Sequence, residues 1–150
     1  VHYVGNCKIW RTPGFLIIEL PSTRRLLYAE PRVKQVVEYD EETEEITARS
    51  SIRYKASKKK QWWTDRTYGG KIVENYTQAI ANDVLRAFIL RCRANGWPIV
   101  LHVHDEGVME VPIGFFSLDD FIEEMEKPLW WTDGLPMKAA GYVSTRYRKG

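Results

Sequence analysis

The sequence predicts an α+β fold in which an antiparallel sheet of hairpins packs against one long helix and a short C-terminal helix. Apolar runs rich in β-branched residues alternate with polar turns in the first part of the chain, and a segment without Pro or Gly follows. A second pair of short apolar runs comes after that segment. With 150 residues and 44% hydrophobic content, the chain can bury a core, so we expect residues 1–150 to form a single domain.

Two hairpins are predicted before the long helix. The runs at 15–20 and 25–28 flank the turn-forming residues Pro21, Ser22 and Thr23, which indicates the first hairpin. Residues 33–39 and 45–54 predict the second, whose turn contains Asp40 and four glutamates. We interpret this segment as an acidic turn rather than a metal site, because a second strand follows it directly.

A basic segment follows the second hairpin, and the tryptophans Trp62 and Trp63 lie within it. Its cations are Arg53, Lys55, Lys58, Lys59, Lys60 and Arg66. Such a segment could follow the phosphates of a nucleic acid, or it could be a solvated loop, and the sequence leaves both open. Arg146, Arg148 and Lys149 form a second basic group near the C-terminus.

One long helix is predicted from about Ile72 to Asn95, with stop signals at Gly96 and Pro98. Lys71, Asn75, Gln78 and Asn82 are spaced to share one face of its first half. The segment 84–90 is apolar on nearly every side, which predicts burial of the second half. The polar face is typical either of a binding surface or of the wet side of an amphipathic helix.

The stretch after the helix predicts a third hairpin with an acidic tip. His104, Asp105 and Glu106 separate two short apolar runs, 98–103 and 107–112. Hairpin turns more often use Asn-Gly or Asp-Gly, so this tip has no evident conformational purpose. Adjacent carboxylates repel each other, and a divalent cation would remove that cost. Taken alone, the stretch is also typical of a solvated turn.

The C-terminal region predicts a short helix and a last strand. Ser117 to Asp120 has the spacing of a capping box, and the helix should end before Pro128. Trp130, Trp131, Gly134 and Pro136 indicate a loop, and we expect a strand from about Lys138 to Arg148.

Composition excludes several classes of protein. The longest apolar runs are too short for a transmembrane helix, and no signal peptide opens the chain, so we expect no membrane partner and a cytoplasmic location. Cys7 and Cys92 are too few for a disulfide framework, and we interpret both as reduced, buried thiols.

The order of an amide-faced helix, a strand, His104-Asp105-Glu106 and another strand resembles the C-terminal part of the palm of family A DNA polymerases, particularly the bacteriophage-type branch. The three residues are similar to motif C of that family. Gln78, followed by Ala81 and Asp83, resembles the helix that lines the minor groove of the primer–template. The likeness is strongest over residues 67–111, and the ending from Gly141 to Lys149 is also similar.

The resemblance implies template-directed DNA synthesis with Mg²⁺ as the cofactor. Asp105 would ligate the metal, Glu106 would support the metal or its water, and His104 would contact the primer terminus. Gln78 would donate to acceptors in the minor groove, with Lys71, Asn75 and Asn82 on the same DNA-facing surface. The implied partners are primer–template DNA, a deoxynucleoside triphosphate and the remainder of the polymerase.

The chain also departs from the family pattern. Glu74 stands where the family has Asn, and Gly70 stands where it has Arg. No counterpart of motif A or of the fingers helix is present, and the chain begins with Val. We therefore expect a piece of a longer phage or bacterial polymerase, holding half of the active site and inactive on its own.

Two other classes remain as alternatives. One is a non-catalytic DNA-binding remnant of a prophage polymerase. The other is a metal-dependent hydrolase that uses His102, His104 and Asp105, since strand alternation places the two histidines on one face. His2 is the one further histidine in the chain, which makes a histidine-rich site a poor fit.

Overall fold

The computed structural model describes residues 1–39 and 46–147. The predicted acidic turn at 40–45 lies outside the described residues, as do Arg148 and Lys149 of the second basic group. The described chain combines an antiparallel sheet, a smaller two-stranded sheet and helices, which confirms the α+β class.

The elements follow one another as local hairpins and helices. They are β1 (His2–Val4), β2 (Cys7–Thr12), β3 (Phe15–Glu19), β4 (Arg25–Tyr39), β5 (Ile46–Lys58), β6 (Gln61–Thr67), α1 (Gly69–Ala94), β7 (Ile99–Val103), β8 (Glu106–Met109) and α2 (Leu118–Glu126). Strands β1 to β6 form one sheet in chain order, each antiparallel to the next, and β7 pairs with β8.

The three predicted hairpins and both predicted helices are confirmed. The basic segment is not a loop, because most of it belongs to the paired strands β5 and β6. Strands β1 and β2 were not predicted, because β1 has only three residues and Lys8 and Arg11 interrupt the apolar pattern of β2.

The predicted last strand is wrong, since residues 138–147 form no strand. The backbone N–H of Ala139 donates to the side chain of Glu126 at 2.7 Å rather than to a neighbouring strand. A Cβ on Gly141 would lie 2.9 Å from Leu118 Cδ1, so this segment passes close against α2. Contacts with α2 therefore replace the ladder that the residue pattern predicts.

The chain separates into two compact units, Val1–Ile80 and Ala81–Gly150. In the first unit, buried residues of the sheet pack against the beginning of α1. The buried residues are Cys7, Ile18, Leu20 and Tyr28, and their partners on the helix are Ile72, Tyr76, Ala79 and Ile80. The Arg24 guanidinium donates to the Ala79 carbonyl oxygen at 2.8 Å, which ties the first hairpin to the helix. The predicted single domain remains a prediction for unfolding experiments.

The second unit has its own core around the second half of α1. Leu85, Phe88 and Cys92 are its buried residues, and Ile89, Trp97, Ile99, Phe121 and Met125 pack against them. Gly96, with φ of 74°, ends the helix in the left-handed conformation that suits glycine. Burial raises the pKa of the Cys92 thiol to about 11. Both cysteines are free and buried, as predicted.

No helix in the described part of the chain combines the length and apolar character needed to cross a membrane.

A buried ion pair joins α2 to α1 within the second unit. Glu124 is only 2% exposed, and it accepts from Arg91 Nε at 2.7 Å and from Lys127 Nζ at 2.6 Å. Burial alone would raise the pKa of Glu124. The hydrogen bonds and charges of Lys127 and Arg91 outweigh burial and lower that pKa below its ordinary value of 4.5.

We predict that Glu124 makes the fold acid-sensitive. Because its pKa is lowered in the folded state, its contribution is present above the ordinary pKa and is lost as pH falls through the folded value. At neutral pH, Glu124→Gln should lower the free energy of unfolding by about 3 kcal/mol, because it leaves Arg91 without its counter-charge. The substitution should also flatten the loss of stability below about pH 4.

Urea unfolding over a pH series measures both effects. Glu123→Gln is the matched control, because Glu123 is an exposed neighbour on the same helix. A Glu124→Gln variant as stable as the parent at neutral pH would show that the pair does not hold α2 in place.

Candidate functional site

The acidic hairpin has a tighter turn than the sequence predicts. Val103 pairs with Glu106 and His102 pairs with Gly107, so the connecting loop consists of His104 and Asp105. Glu106 is already the first residue of β8. All three of the predicted catalytic residues are exposed at this end of the hairpin.

His104 has a φ of 53°, in the left-handed region. Two-residue hairpin loops commonly need a positive φ at their first central residue, a position that Gly or Asn usually occupies. For a side chain with a Cβ, this conformation costs roughly 1 kcal/mol. The imidazole therefore stands at a turn that a glycine would form more easily, and such strain is often retained where the side chain itself is used.

Gly107 sets how closely the hairpin approaches the core of its unit. A Cβ at this position would lie 2.7 Å from Cε1 of Phe88, closer than side chains can approach. Phe88 is fully buried, so it cannot easily move aside. The absence of a side chain at Gly107 therefore allows β8 to pack closely against Phe88 in the second half of α1.

Tyr147 contacts one of the two predicted metal ligands. Its hydroxyl donates to Glu106 Oε2 at 3.2 Å. Partial desolvation, together with the hydrogen bond and the negative charge of Glu106, raises the pKa of Tyr147. The phenol therefore remains a neutral donor to Glu106. This contact joins residues 41 positions apart and leaves no local pattern in the sequence from which it could be predicted.

The hairpin offers an incomplete set of metal ligands. Within residues 1–39 and 46–147, no group of three or more His, Cys, Asp or Glu side chains is arranged to hold a metal ion. Asp105 and Glu106 are consecutive exposed carboxylates, and carboxylate oxygens suit Mg²⁺, which prefers six oxygen ligands. They therefore fit part of a magnesium site that other groups would complete. His102, His104 and Asp105 do not assemble into the three-ligand site that a hydrolase would need.

In the first unit, Glu74 organises the polar face of α1. Lys71 Nζ lies 3.1 and 3.0 Å from its two carboxylate oxygens, and Gln78 Nε2 donates to one of them at 3.3 Å. Asn75 is half-buried and donates to the Tyr28 hydroxyl at 3.2 Å. The spacing of Glu74, three residues after Lys71 and four before Gln78, is the signal that could have identified this role.

The remaining predicted DNA-binding residue, Asn82, is exposed in the second unit. Gln78 lies in the first unit and Asp105 in the second. That the two open onto one surface for a DNA duplex therefore stays a prediction.

Comparison with known proteins finds one informative likeness. Over 137 residues, the chain is 39% identical to the DNA polymerase of Bacillus phage SP02. The similar region covers 91% of this chain but 20% of that protein, so the chain spans about a fifth of the length of its relative. No family model matches the chain, and no solved structure matches it significantly.

We predict that His104→Gly stabilises the fold by up to about 1 kcal/mol, because glycine relieves the positive φ of the turn. His102→Gly is the control: His102 is also exposed but lies inside β7, where glycine should destabilise by about 0.5–1 kcal/mol. Thermal unfolding of the two variants provides the comparison. A less stable His104→Gly variant would mean that the imidazole contributes to folding rather than to a function that strains the turn.

Proposed function

We propose that this chain is part of a DNA-directed DNA polymerase and supplies one side of its nucleotidyl-transfer site. The observation that carries the proposal is the 39% identity with a phage DNA polymerase over 91% of this chain. At that coverage, the similar region includes most of both compact units. The finer assignment to the palm of a family A enzyme of the bacteriophage type depends on His104, Asp105 and Glu106, and on Gln78.

The hairpin residues would act on the primer terminus. Asp105 and Glu106 would hold Mg²⁺ together with a carboxylate from the rest of the enzyme. The ion, when bound, lowers the pKa of the primer 3′-hydroxyl and stabilises charge on the phosphates. Tyr147 donates to Glu106, while Asp105 lies exposed in the turn. His104 would contact the primer terminus, a role that accounts for retaining a histidine in a strained conformation.

The polar face of α1 would contact the primer–template. Glu74 accepts one N–H of the Gln78 amide, which orients the group and leaves the second N–H to donate to minor-groove acceptors. Such acceptors are present on every base pair, so this contact senses pair geometry without reading sequence. The exposed pair between Lys71 and Glu74 contributes little stability, and Lys71 can therefore exchange Glu74 for a phosphate. Asn75 and Asn82 would extend the same surface.

The proposal implies partners outside this chain. These are the remainder of the polymerase, which would carry motif A and the fingers, primer–template DNA, and a deoxynucleoside triphosphate. The corresponding location is the cytoplasm of a bacterial cell, with the gene belonging to a phage or to its host.

A DNA-binding remnant without catalysis is the second candidate function. The observation that favours it is the small ligand set of the hairpin, in which no third acidic, histidine or cysteine side chain joins Asp105 and Glu106 among the described residues. This small ligand set also argues against a metal-dependent hydrolase, which would need at least three ligands. The remnant and the polymerase differ in one respect, which is whether the complete gene product synthesises DNA.

We predict that Asp105→Ala lowers the turnover of the complete polymerase by roughly three orders of magnitude, because it removes a carboxylate from the metal site. The fold should remain intact, since the substitution also removes repulsion between neighbouring carboxylates. Primer extension under single-turnover conditions measures the loss, and Glu110→Ala is the control for an exposed carboxylate of the same unit. Gln78→Ala should mainly weaken primer–template binding and mismatch discrimination.

Two results would contradict the proposal. Near-normal DNA synthesis by the Asp105→Ala enzyme would contradict the assignment of His104, Asp105 and Glu106 to motif C. Asp105-dependent synthesis by the 150-residue chain alone would show that this chain is not half of a site. A complete gene product that binds primed DNA but synthesises none would favour the non-catalytic remnant.

A further inference from the structure

Three arginines form a row across the sheet of the first unit. Arg32 on β4 pairs with Arg53 on β5, and Arg53 pairs with Arg66 on β6. Directly paired residues project from the same face of an antiparallel sheet. With neighbouring strands about 4.8 Å apart, the three guanidinium groups start from adjacent positions on one face.

This face is the one turned away from the core of the unit. Tyr54 follows Arg53 in β5 and packs edge-on against the buried Tyr28, with ring centroids 5.0 Å apart. Because successive side chains of a strand point to opposite faces, Arg53 projects away from that core. The same alternation adds further side chains to this surface, which we call the outer basic face: Arg32, Lys34, Arg53, Lys55, Trp62 and Arg66.

The arrangement carries an electrostatic cost that the described chain barely offsets. Like charges placed directly opposite each other destabilise a sheet. Within the described residues, Glu30 lies 4.0 Å from Arg32, and no carboxylate is within ion-pair distance of Arg53 or Arg66. The Nε of Arg53 is buried with no hydrogen-bond partner in the described chain. A polyanion bound to this face would supply counter-charges that the described residues do not.

Trp62 adds an aromatic surface beside the cations. It lies on β6 with Thr64 between it and Arg66, so all three project from the same face. Its paired residue is the small Ser57, and 70% of the tryptophan is exposed. An exposed indole among cations suits unpaired bases, which stack on aromatic rings while their phosphates contact arginine and lysine. The stacked bases of a duplex would leave the ring unused.

We infer that the outer basic face binds single-stranded nucleic acid, with phosphates on the arginine row and a base stacked on Trp62. The site consists of side chains of the first unit and requires neither Asp105 nor a metal ion. It therefore does not depend on the proposed polymerase function.

Fluorescence anisotropy with a labelled oligodeoxythymidine of about 20 nucleotides tests the inference on the whole chain. Trp62→Ala should weaken binding by about fivefold or more without changing its salt dependence. Arg66→Gln should weaken binding and reduce the slope of log affinity against log salt by about 1, because one phosphate contact is lost. Both residues are exposed, so circular dichroism should show an unchanged fold.

Matched controls distinguish binding at the outer basic face from a general effect of positive charge or of an exposed tryptophan. Arg11→Gln removes a cation from the opposite face, since Arg11 lies two residues from Ile9 in β2 and so shares the face of that core residue. This variant should bind as the parent does. Trp130→Ala removes a tryptophan that is 78% exposed in the other unit, and it should also have no effect. Asp105→Ala should keep full affinity for the oligonucleotide, whatever its effect on DNA synthesis.

Several outcomes would overturn the inference. One is a parent chain that does not bind the oligonucleotide, and another is an affinity that Trp62→Ala and Arg66→Gln leave unchanged. Equal binding of a duplex, unaffected by Trp62→Ala, would indicate a general polyanion surface. Loss of binding to phosphatidylserine vesicles in both variants, with oligonucleotide binding intact, would assign the face to a membrane surface instead.

Discussion

Both hydrophobic cores depend on burial of apolar side chains of α1. Ile72 and Tyr76 pack into the first core, while Leu85 and Phe88 are part of the second. An isolated helix is only marginally stable in water, so this burial is what keeps α1 helical. Because the apolar side chains of α1 provide this burial, exposed positions on the helix, such as Gln78, have no packing role. The proposed contact with DNA uses a residue that the cores do not need.

The acidic hairpin shows the opposite relation between fold and site, because its geometry depends on exceptions to local preference. Gly107 has no side chain, which allows the strand to approach Phe88. His104 occupies a turn position that suits glycine. Each exception lies beside the carboxylates of Asp105 and Glu106. Departures from local preference that cluster in this way are typical of functional sites, where the surrounding fold supports the strain.

Local patterns predicted the parts of the fold that local physics decides. The Pro- and Gly-free run of α1 and the β-branched runs around His104 both specified their elements, because periodicity determines which face is buried. The strand expected from Lys138 failed because that segment instead contacts α2. The hydrogen bond from Tyr147 to Glu106 escaped prediction for the same reason, since only tertiary structure brings these residues together.

The distribution of charge over the surface is the property that is least evident from the sequence. A formal net charge of +2 suggests no basic surface, yet strand pairing places five cations on one face of the sheet: Arg32, Lys34, Arg53, Lys55 and Arg66. Asp65, which alternates with Arg66, lies on the core side and accepts from the Tyr54 hydroxyl at 3.4 Å. A shift of β5 by one residue would turn Arg53 inward and Tyr54 outward. The register that buries the tyrosine is therefore the register that assembles the arginine row, so the core of the first unit and its outer basic face are specified together.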